Sequence, residues 1–407
     1  MLRGNMTPSI VCVHKLLTDS LFWLIRGLQL SGYLPFGITN GRLQFAKFRP
    51  PLLLWSSVLA LLTVGLIYVF LVVAKTFVGE RVSKEVEMLS IRTLTVIMGV
   101  TSLVFKAFPC IYRRRMEDFW IQNCKVLEFT CCTNIDGFME IRSLQQMLAK
   151  SKKGSKRDLL ILTVFGIVLL LVQYTTQGRF NDAANAVDRG CYWSIVRILA
   201  VYSFWIFISF IDGCLCFLIA YFLRLYTSLF GIIAGELQTL SLQTGMNDMC
   251  TMVAPIVIDT RSRHMATRKL VRVVECLYRV ENVVQEVNSL FGPMIFIEIG
   301  LAVCFVLGHT FFCICSLLLG NLGNAISDFI WVSLFASRIF LLGTVSSNLN
   351  SKSQQIAKEL MIIARGKLYF GAEIVREVAP CTFEIPAWER HIVYEFFYLR
   401  QKCWHLE

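Results

Sequence analysis

Between Leu52 and Ala74 the chain runs for 23 residues without a charge, and between Leu159 and Gly178 for 20 more. At a helical rise of about 1.5 Å per residue, either run can cross a hydrocarbon core of about 30 Å. In that solvent no water satisfies backbone N–H and C=O groups, so only helices and closed barrels can span it. Barrel strands alternate in polarity with period two, whereas these runs are continuous. They read as transmembrane helices.

Composition agrees. Apolar residues make up 56% of the 407 and charged residues 17%, with a mean hydropathy of +0.60. Soluble domains sit near about 45–50% and about 25%. Disorder, collagen, a coiled coil and a secreted disulfide scaffold are excluded. Six segments qualify as spans: 52–74, 91–111, 159–176, 195–223, 290–319 and 326–347. The expected fold class is all-α, a polytopic helical membrane protein with six clear transmembrane helices. Residues 1–51 form an N-terminal arm, 52–347 the bundle with long loops at 112–158 and 224–289, and 348–407 a tail. An apolar stretch near 20–30 is broken by Arg26 and followed by no small-residue cleavage site, so the arm does not read as a signal peptide.

Loop charge sets the orientation. Lys and Arg number six in the arm, ten in 112–158 and seven in 224–289, with four more following the sixth span by Lys367. The intervening loops at 75–90, 177–194 and 320–325 hold three, two and none. The positive-inside rule then places the N-terminus in the cytoplasm and the long loops beside it, as for a multi-pass plasma-membrane protein. The net charge of +12 is mainly this signal. Its basic groups flank spans and do not form one aromatic-interleaved stripe, so the expected partner is the lipid bilayer and no nucleic acid.

Nothing in the chain reads as an enzyme or a cofactor site. Of 15 cysteines only Cys191 falls in an expected outer loop, and no quartet has zinc-ligand spacing. His14, His264, His309, His391 and His405 form no paired metal motif, and no nucleophile elbow or Gly-rich phosphate loop occurs. No metal, cofactor or catalytic residue is assigned.

Ionisable groups inside spans are costly, which marks them for attention. Glu298 and His309 are eleven residues apart, about three helical turns, and share one face of the fifth span. Each reads either as a ligand contact or as an interhelical hydrogen bond. Asp212, near mid-span, needs a partner, with Arg338 and Lys106 the choices; Arg197 can snorkel. Aromatic residues crowd the outer halves of the spans: Tyr174, Tyr202, Trp205, Phe311, Phe312 and Trp331. An interfacial belt accounts for some of them. Trp205 and Phe312 lie more than a turn inside the interface, where a pocket opening outward is the alternative. The candidate ligand-pocket residues are Tyr174, Tyr202, Trp205, His309, Phe312 and Trp331.

Two short motifs carry a resemblance. Gly32-Tyr33-Leu34-Pro35-Phe36 precedes the first span, and Leu277-Tyr278, Asn288 and Phe291-Gly292 lead into the fifth. With the layout of spans and loops, they resemble the insect gustatory receptor family, over roughly residues 20–365. Insect odorant receptors share the architecture and are the near alternative. The resemblance implies a chemosensory, ligand-gated cation channel for a small-molecule tastant, a homo- or hetero-tetramer with related receptors. It also implies cytoplasmic helical extensions that hold subunits together, a role suited to the amphipathic stretch from Leu270 to Leu290. A seventh span with Thr-Tyr, five mostly apolar residues and Gln-Phe is expected from the family. After Ser347 no uncharged run approaches 18 residues and no Thr-Tyr occurs; the best stretch, His391 to Leu399, contains Glu395. No pore residue is therefore assigned.

Two other classes fit less well. A transporter would show internal repeats. A G-protein-coupled receptor would have its N-terminus outside and an Asn-Pro-x-x-Tyr motif, which is absent.

The topology is directly testable. An N-terminal tag should resist protease added outside intact cells, and the sequon Asn5-Met6-Thr7 should carry no glycan. Glycan on Asn5 would invert the assignment.

Overall fold

Every hydrocarbon-length run that the structure describes becomes part of a helix, most of them longer than the run itself. The computed structural model describes residues 8–30, 34–39, 42–45, 50–77, 85–131, 141–176, 213, 215–241 and 260–365. The helices are α1 (Pro8–Leu30), α2 (Pro50–Phe77), α3 (Glu85–Ile111), α4 (Arg113–Cys131), α5 (Ile141–Thr176), α6 (Leu215–Ser241), α7 (Thr260–Leu318) and α8 (Leu322–Arg365). A single antiparallel hairpin, β1 (Phe36–Thr39) and β2 (Arg42–Phe45), follows α1. Among the described residues the fold is all-α apart from that hairpin.

Three helical stretches among the described residues are long and apolar enough to cross a membrane: Leu215–Ser241, Arg268–Leu318 and Leu322–Leu360. The shorter apolar stretches Leu52–Gly65 and Gly99–Ile111 lie in α2 and α3, and the run starting at 159 lies in α5. Leu61 and Val64 on α2 and Leu160 and Val164 on α5 are half-exposed or more. Such surfaces in water would mark an aggregation liability; in a bilayer they face like solvent.

The segments 112–158 and 224–289, expected as loops, are largely helical. Hydropathy and charge report where a chain leaves hydrocarbon, not where a helix stops. In α4 the buried residues Met116, Phe119, Trp120, Asn123, Cys124 and Leu127 recur at three and four, the helical period that charge counting overlooks. At 59 residues α7 is about 88 Å long, far more than a bilayer needs.

The chain divides into two compact units. The first comprises Met1–Cys124, Leu148–Tyr221 and Val287–Leu342. Within it α1 buries Val13, Leu17, Leu21, Leu24, Ile25 and Leu28 as one stripe. The Tyr221 hydroxyl, fully buried on α6, lies 2.6 Å from Ser20 Oγ. Ser20 gives its own proton to the Leu17 carbonyl at 2.8 Å, so Tyr221 donates and neither hydroxyl is left unpaired. After α1, Leu34 N–H donates to the Leu28 carbonyl and the Gln29 amide donates to the Phe36 carbonyl. The Leu34-Pro35-Phe36 part of the first motif is thus a buried corner that turns the arm into the hairpin, where Phe36 pairs with Phe45. Helix α2 packs on α1, β1 and α3, and Trp55 Nε1 donates to the Lys106 carbonyl at 3.0 Å.

Helical hydrogen bonds run almost unbroken from α3 into α4 through Tyr112, from Tyr112 N–H to Phe108 and from Met116 N–H to Tyr112, both 2.9 Å. Phe291 on α7 inserts here. Its ring centre is 5.9 Å from Phe108 and 5.9 Å from Phe119, the latter edge-on. The second motif therefore supplies packing: Phe291 is buried, and beside it a Cβ at Gly292 would come within 3.3 Å of Asn288 Oδ1.

Helices α7 and α8 form a tight antiparallel hairpin. Gly320 N–H donates to Leu317 and Asn321 N–H to Ser316, the paired bonds of a Schellman stop, with Gly320 at φ 72°. Asn321 Oδ1 then accepts from Asn324 N–H and caps α8. Two adjacent residues end one helix and start the next.

The second unit comprises Lys125–Met147, Phe222–Glu286 and Gly343–Glu407. Its core joins Tyr226, Leu229, Ile233 and Leu237 of α6 with Leu270, Val273, Leu277 and Val280 of α7 and Ile356 and Leu360 of α8. Ser241 donates to Glu359 Oε2 at 2.7 Å, and Arg279 lies 4.0 Å over the Phe129 ring. Leu270, Val273, Leu277 and Val280 of the amphipathic stripe of α7 are buried over this span, while Val271 and Tyr278 on other faces stay exposed. The tail segment His391 to Leu399 lies outside the described residues.

Truncating Phe291 to Ala removes a ring shared by three helices and should cost about 3–5 kcal/mol. Denaturant or thermal unfolding in mild detergent measures it; an unchanged midpoint would show that the α3–α4–α7 junction does not carry stability.

Candidate functional site

The polar and aromatic groups singled out on the fifth and sixth spans meet along the α7–α8 seam of the first unit. His309 Nδ1 lies 2.9 Å from Asp328 Oδ1. His309 stacks on Trp331, with centroids 5.6 Å apart and planes at 10°, and on Phe305 at 5.8 Å. Phe335 closes the set, 4.5 Å from Phe305 and 5.8 Å from Trp331. Phe312 meets His309 edge-on at 6.3 Å. Four nearly parallel rings thus form a closed array, with one carboxylate at its rim.

Helical spacing builds this array. Phe305, His309 and Phe312 are four and three residues apart on α7; Asp328, Trp331 and Phe335 are three and four apart on α8. Each set projects from one face of its helix toward the other. Phe312 and Trp331 are each 5% exposed, while His309 and Asp328 keep 16% and 19% of their side chains accessible. Nδ1 faces the carboxylate, which leaves Nε2 as the ring nitrogen that can meet another polar group. The arrangement offers apolar ring faces and one polar edge, suited to holding a small organic molecule by stacking and a single directed hydrogen bond.

Toward the other end of the seam lies a second acid–base pair. Arg338 Nη1 donates to Glu298 Oε1 at 3.2 Å, with both side chains 3% exposed. The Cys216 thiol donates to the same oxygen at 3.6 Å, and the Arg338 guanidinium sits 5.0 Å over the Phe335 ring. The two pairs are crossed: α7 supplies the acid in one and the base in the other. Glu298 and His309 are eleven residues apart on α7 and Asp328 and Arg338 ten on α8, so an antiparallel pairing matches both at once.

Several sequence expectations resolve here. His309, Phe312 and Trp331 come together. Phe311, beside Phe312, is 61% exposed and takes the lipid-facing role. Tyr174 lies in α5 with its side chain outside the description, and Tyr202 and Trp205 lie outside the described residues. Arg338, a candidate partner for Asp212, is bound to Glu298, which faces it across the α7–α8 hairpin. Lys106 Nζ is fully buried with no hydrogen-bond partner among the described residues, and Asp212 lies outside them. Asp328 stood out as an ionisable residue in a span, but its partnership with His309 did not. Phe305 and Phe335 did not stand out at all; their signal was the three- and four-residue spacing from His309 and Trp331.

The architecture defines a class first: a multi-pass helical membrane protein whose described core is a long-helix hairpin with intramembrane charges matched in pairs. No protein-family profile matches the chain, and no curated protein matches it in sequence. Among solved structures, the chain is similar to the insect olfactory receptor OR5 from Machilis hrabei, at 11% identity with a TM-score of 0.61. The match covers 91% of this chain and 90% of that one. The chain has the fold of an insect olfactory receptor.

Removing one member of the Glu298–Arg338 pair strands the other charge. Arg338→Met should cost about 3–5 kcal/mol, whereas Glu298→Leu with Arg338→Met should recover most of that loss. Equal losses in the single and double variants, measured by unfolding in detergent, would mean the pair is not the source of the cost.

Proposed function

We infer that this chain is an insect chemosensory receptor of the gustatory type, a cation channel of the plasma membrane opened by a small-molecule tastant. The observation that carries the reading is the likeness to the olfactory receptor over nine-tenths of both chains. At that identity the likeness speaks for the fold, and the gustatory assignment rests on the motifs at Leu34-Pro35-Phe36 and at Phe291-Gly292. An odorant receptor is the second reading, favoured by the name of the structural neighbour itself.

In this reading the ligand meets the stacked array of His309, Phe312 and Trp331, with Tyr174, Tyr202 and Trp205 completing a pocket that opens outward from a cytoplasmic N-terminus. His309 supplies the directed hydrogen bond, and Asp328 fixes its ring and tautomer. The chain works as a homo- or hetero-tetramer with related receptors. The exposed Val271 and Tyr278, on the faces of α7 left uncovered in the second unit, support such contacts. The pore is left unassigned.

Whole-cell recording tests this. Cells expressing the chain, alone or with a related receptor, should pass a cation current on exposure to a soluble tastant, with no G protein required. Trp331→Ala and His309→Ala should raise the half-maximal concentration by roughly tenfold or more while surface labelling is retained, as expected for losing about 1–2 kcal/mol of stacking or hydrogen bonding. Responses only to volatile compounds would favour the odorant reading. Unchanged dose–response curves in both variants would return the array to a packing role.

A further inference from the structure

Helix α5 passes from a basic stretch into a charge-free one without a break, and one of its faces stays uncovered on both sides of that boundary. Lys150, Lys153 and Arg157 follow one another at three and four residues, and Leu160, Val164 and Ile167 continue the same spacing. All six are exposed. The opposite face is the packed one: Leu148, Ser151, Ser155 and Asp158 repeat at three and four and are buried. A single stripe, turned away from the packed face, thus changes from basic to apolar between Arg157 and Leu160. From Arg157 to Ile167 it runs about 15 Å, the hydrocarbon depth of one leaflet.

The basic half carries charge that α5 does not neutralise. Between Ile141 and Arg157 the helix holds no acidic residue. Lys150, Lys153 and Lys156 are exposed and make no hydrogen bond or ion pair among the described residues. Lys152, on the flank, donates to the Asp19 carbonyl of α1 at 3.3 Å. Arg157 lies 3.6 Å from the Asp158 carboxylate, which partly offsets it. A run of lysines on a helix in water is an ordinary solvated face. Here the same face continues as exposed Leu160 and Val164, so lipids lying against those residues place their headgroups at the lysines. A lysine stem lays its methylenes along hydrocarbon while the ammonium reaches a phosphate or carboxylate oxygen. Each basic residue near an anionic leaflet contributes about a fivefold gain in affinity.

We propose that this stripe of α5 holds an anionic phospholipid of the inner leaflet, of the phosphatidylserine class. Lys153 and Lys156 contact the headgroup, Lys150 adds to the field one turn further out, and Leu160 and Val164 lie along the upper acyl chains. The leaflet named rests on the cytoplasmic placement of 112–158; the lipid contact itself rests on neither that placement nor the receptor reading.

The test places the photocrosslinking residue p-benzoylphenylalanine at Leu160 in the full-length chain. The protein is reconstituted in vesicles of equal phosphatidylserine and phosphatidylcholine, and mass spectrometry counts the two lipid adducts after illumination. Phosphatidylserine adducts should exceed phosphatidylcholine adducts about fivefold. Lys153→Gln with Lys156→Gln should bring the ratio close to one, and Lys153→Gln alone should lower it roughly twofold. The single variant changes one exposed side chain and keeps the test decisive if the double variant fails to purify. Arg268→Gln with Lys358→Gln, which removes equal charge from exposed positions of the second unit, should leave the ratio unchanged. Inorganic phosphate should lower it no more than sodium chloride of the same ionic strength, since a free ion lacks the acyl chains that hold the lipid on the stripe. Both leaflets have the same composition, so an inverted topology would show in glycosylation of Asn5 and not in this ratio. Equal adducts in the unmodified background, an undiminished ratio in the α5 variants, an equal loss in the second-unit control, or a loss specific to phosphate would each overturn the proposal.

Discussion

A charge inside hydrocarbon has neither water nor, by default, a partner, and the arrangement of α7 on α8 answers that constraint twice. Glu298 with Arg338 and His309 with Asp328 are the two acid–base pairs of one seam. Because they are crossed between the helices, a shift of one turn along the seam would separate both together. The Gly320–Asn321 stop and cap fixes where the hairpin turns, and the charges then admit one pairing. The rings of Phe305, His309, Trp331 and Phe335 then stack, since each helix places its two rings four residues apart on the face that carries the paired groups.

The pair nearer the middle of the seam differs in character from the pair nearer the turn. Glu298 and Arg338 are almost wholly enclosed, share a thiol and a ring face as further partners, and are suited to holding register. Buried pairs of this kind contribute little net stability over apolar replacements but penalise mispairing strongly. His309 and Asp328 retain accessible surface beside stacked rings. That combination leaves a directional group able to meet another molecule, and the proposed ligand contact rests on it.

Much of this was legible in the sequence, for identifiable physical reasons. Charge-free runs of bilayer length could only be helices, and the span boundaries near 52, 159 and 290 fall inside α2, α5 and α7 as expected. Glu298 and His309 were expected on one face and are. Asn40-Gly41 between two alternating tetrads was a hairpin signal that passed unread because long-run hydropathy dominated the arm. The described parts of 112–158 and 224–289 are helical because charge marks the membrane boundary while helical period continues past it. Phe311 and Phe312 were indistinguishable by composition; the face each takes depends on the register of α7 against α8. The pairing of Glu298 with Arg338 was not foreseen for the same reason: neighbourhood between spans is set by hairpin geometry that hydropathy does not encode.

The central claim is that His309 and Asp328 act as one unit where the ligand meets the seam. A double-mutant cycle on ligand-evoked current, with His309→Ala, Asp328→Asn and the combined variant at matched surface expression, measures this directly. The account predicts strong coupling, of about 0.5–3 kcal/mol, with the double variant little worse than either single one. Shifts in half-maximal concentration that simply add would show that the two residues act independently and would contradict it.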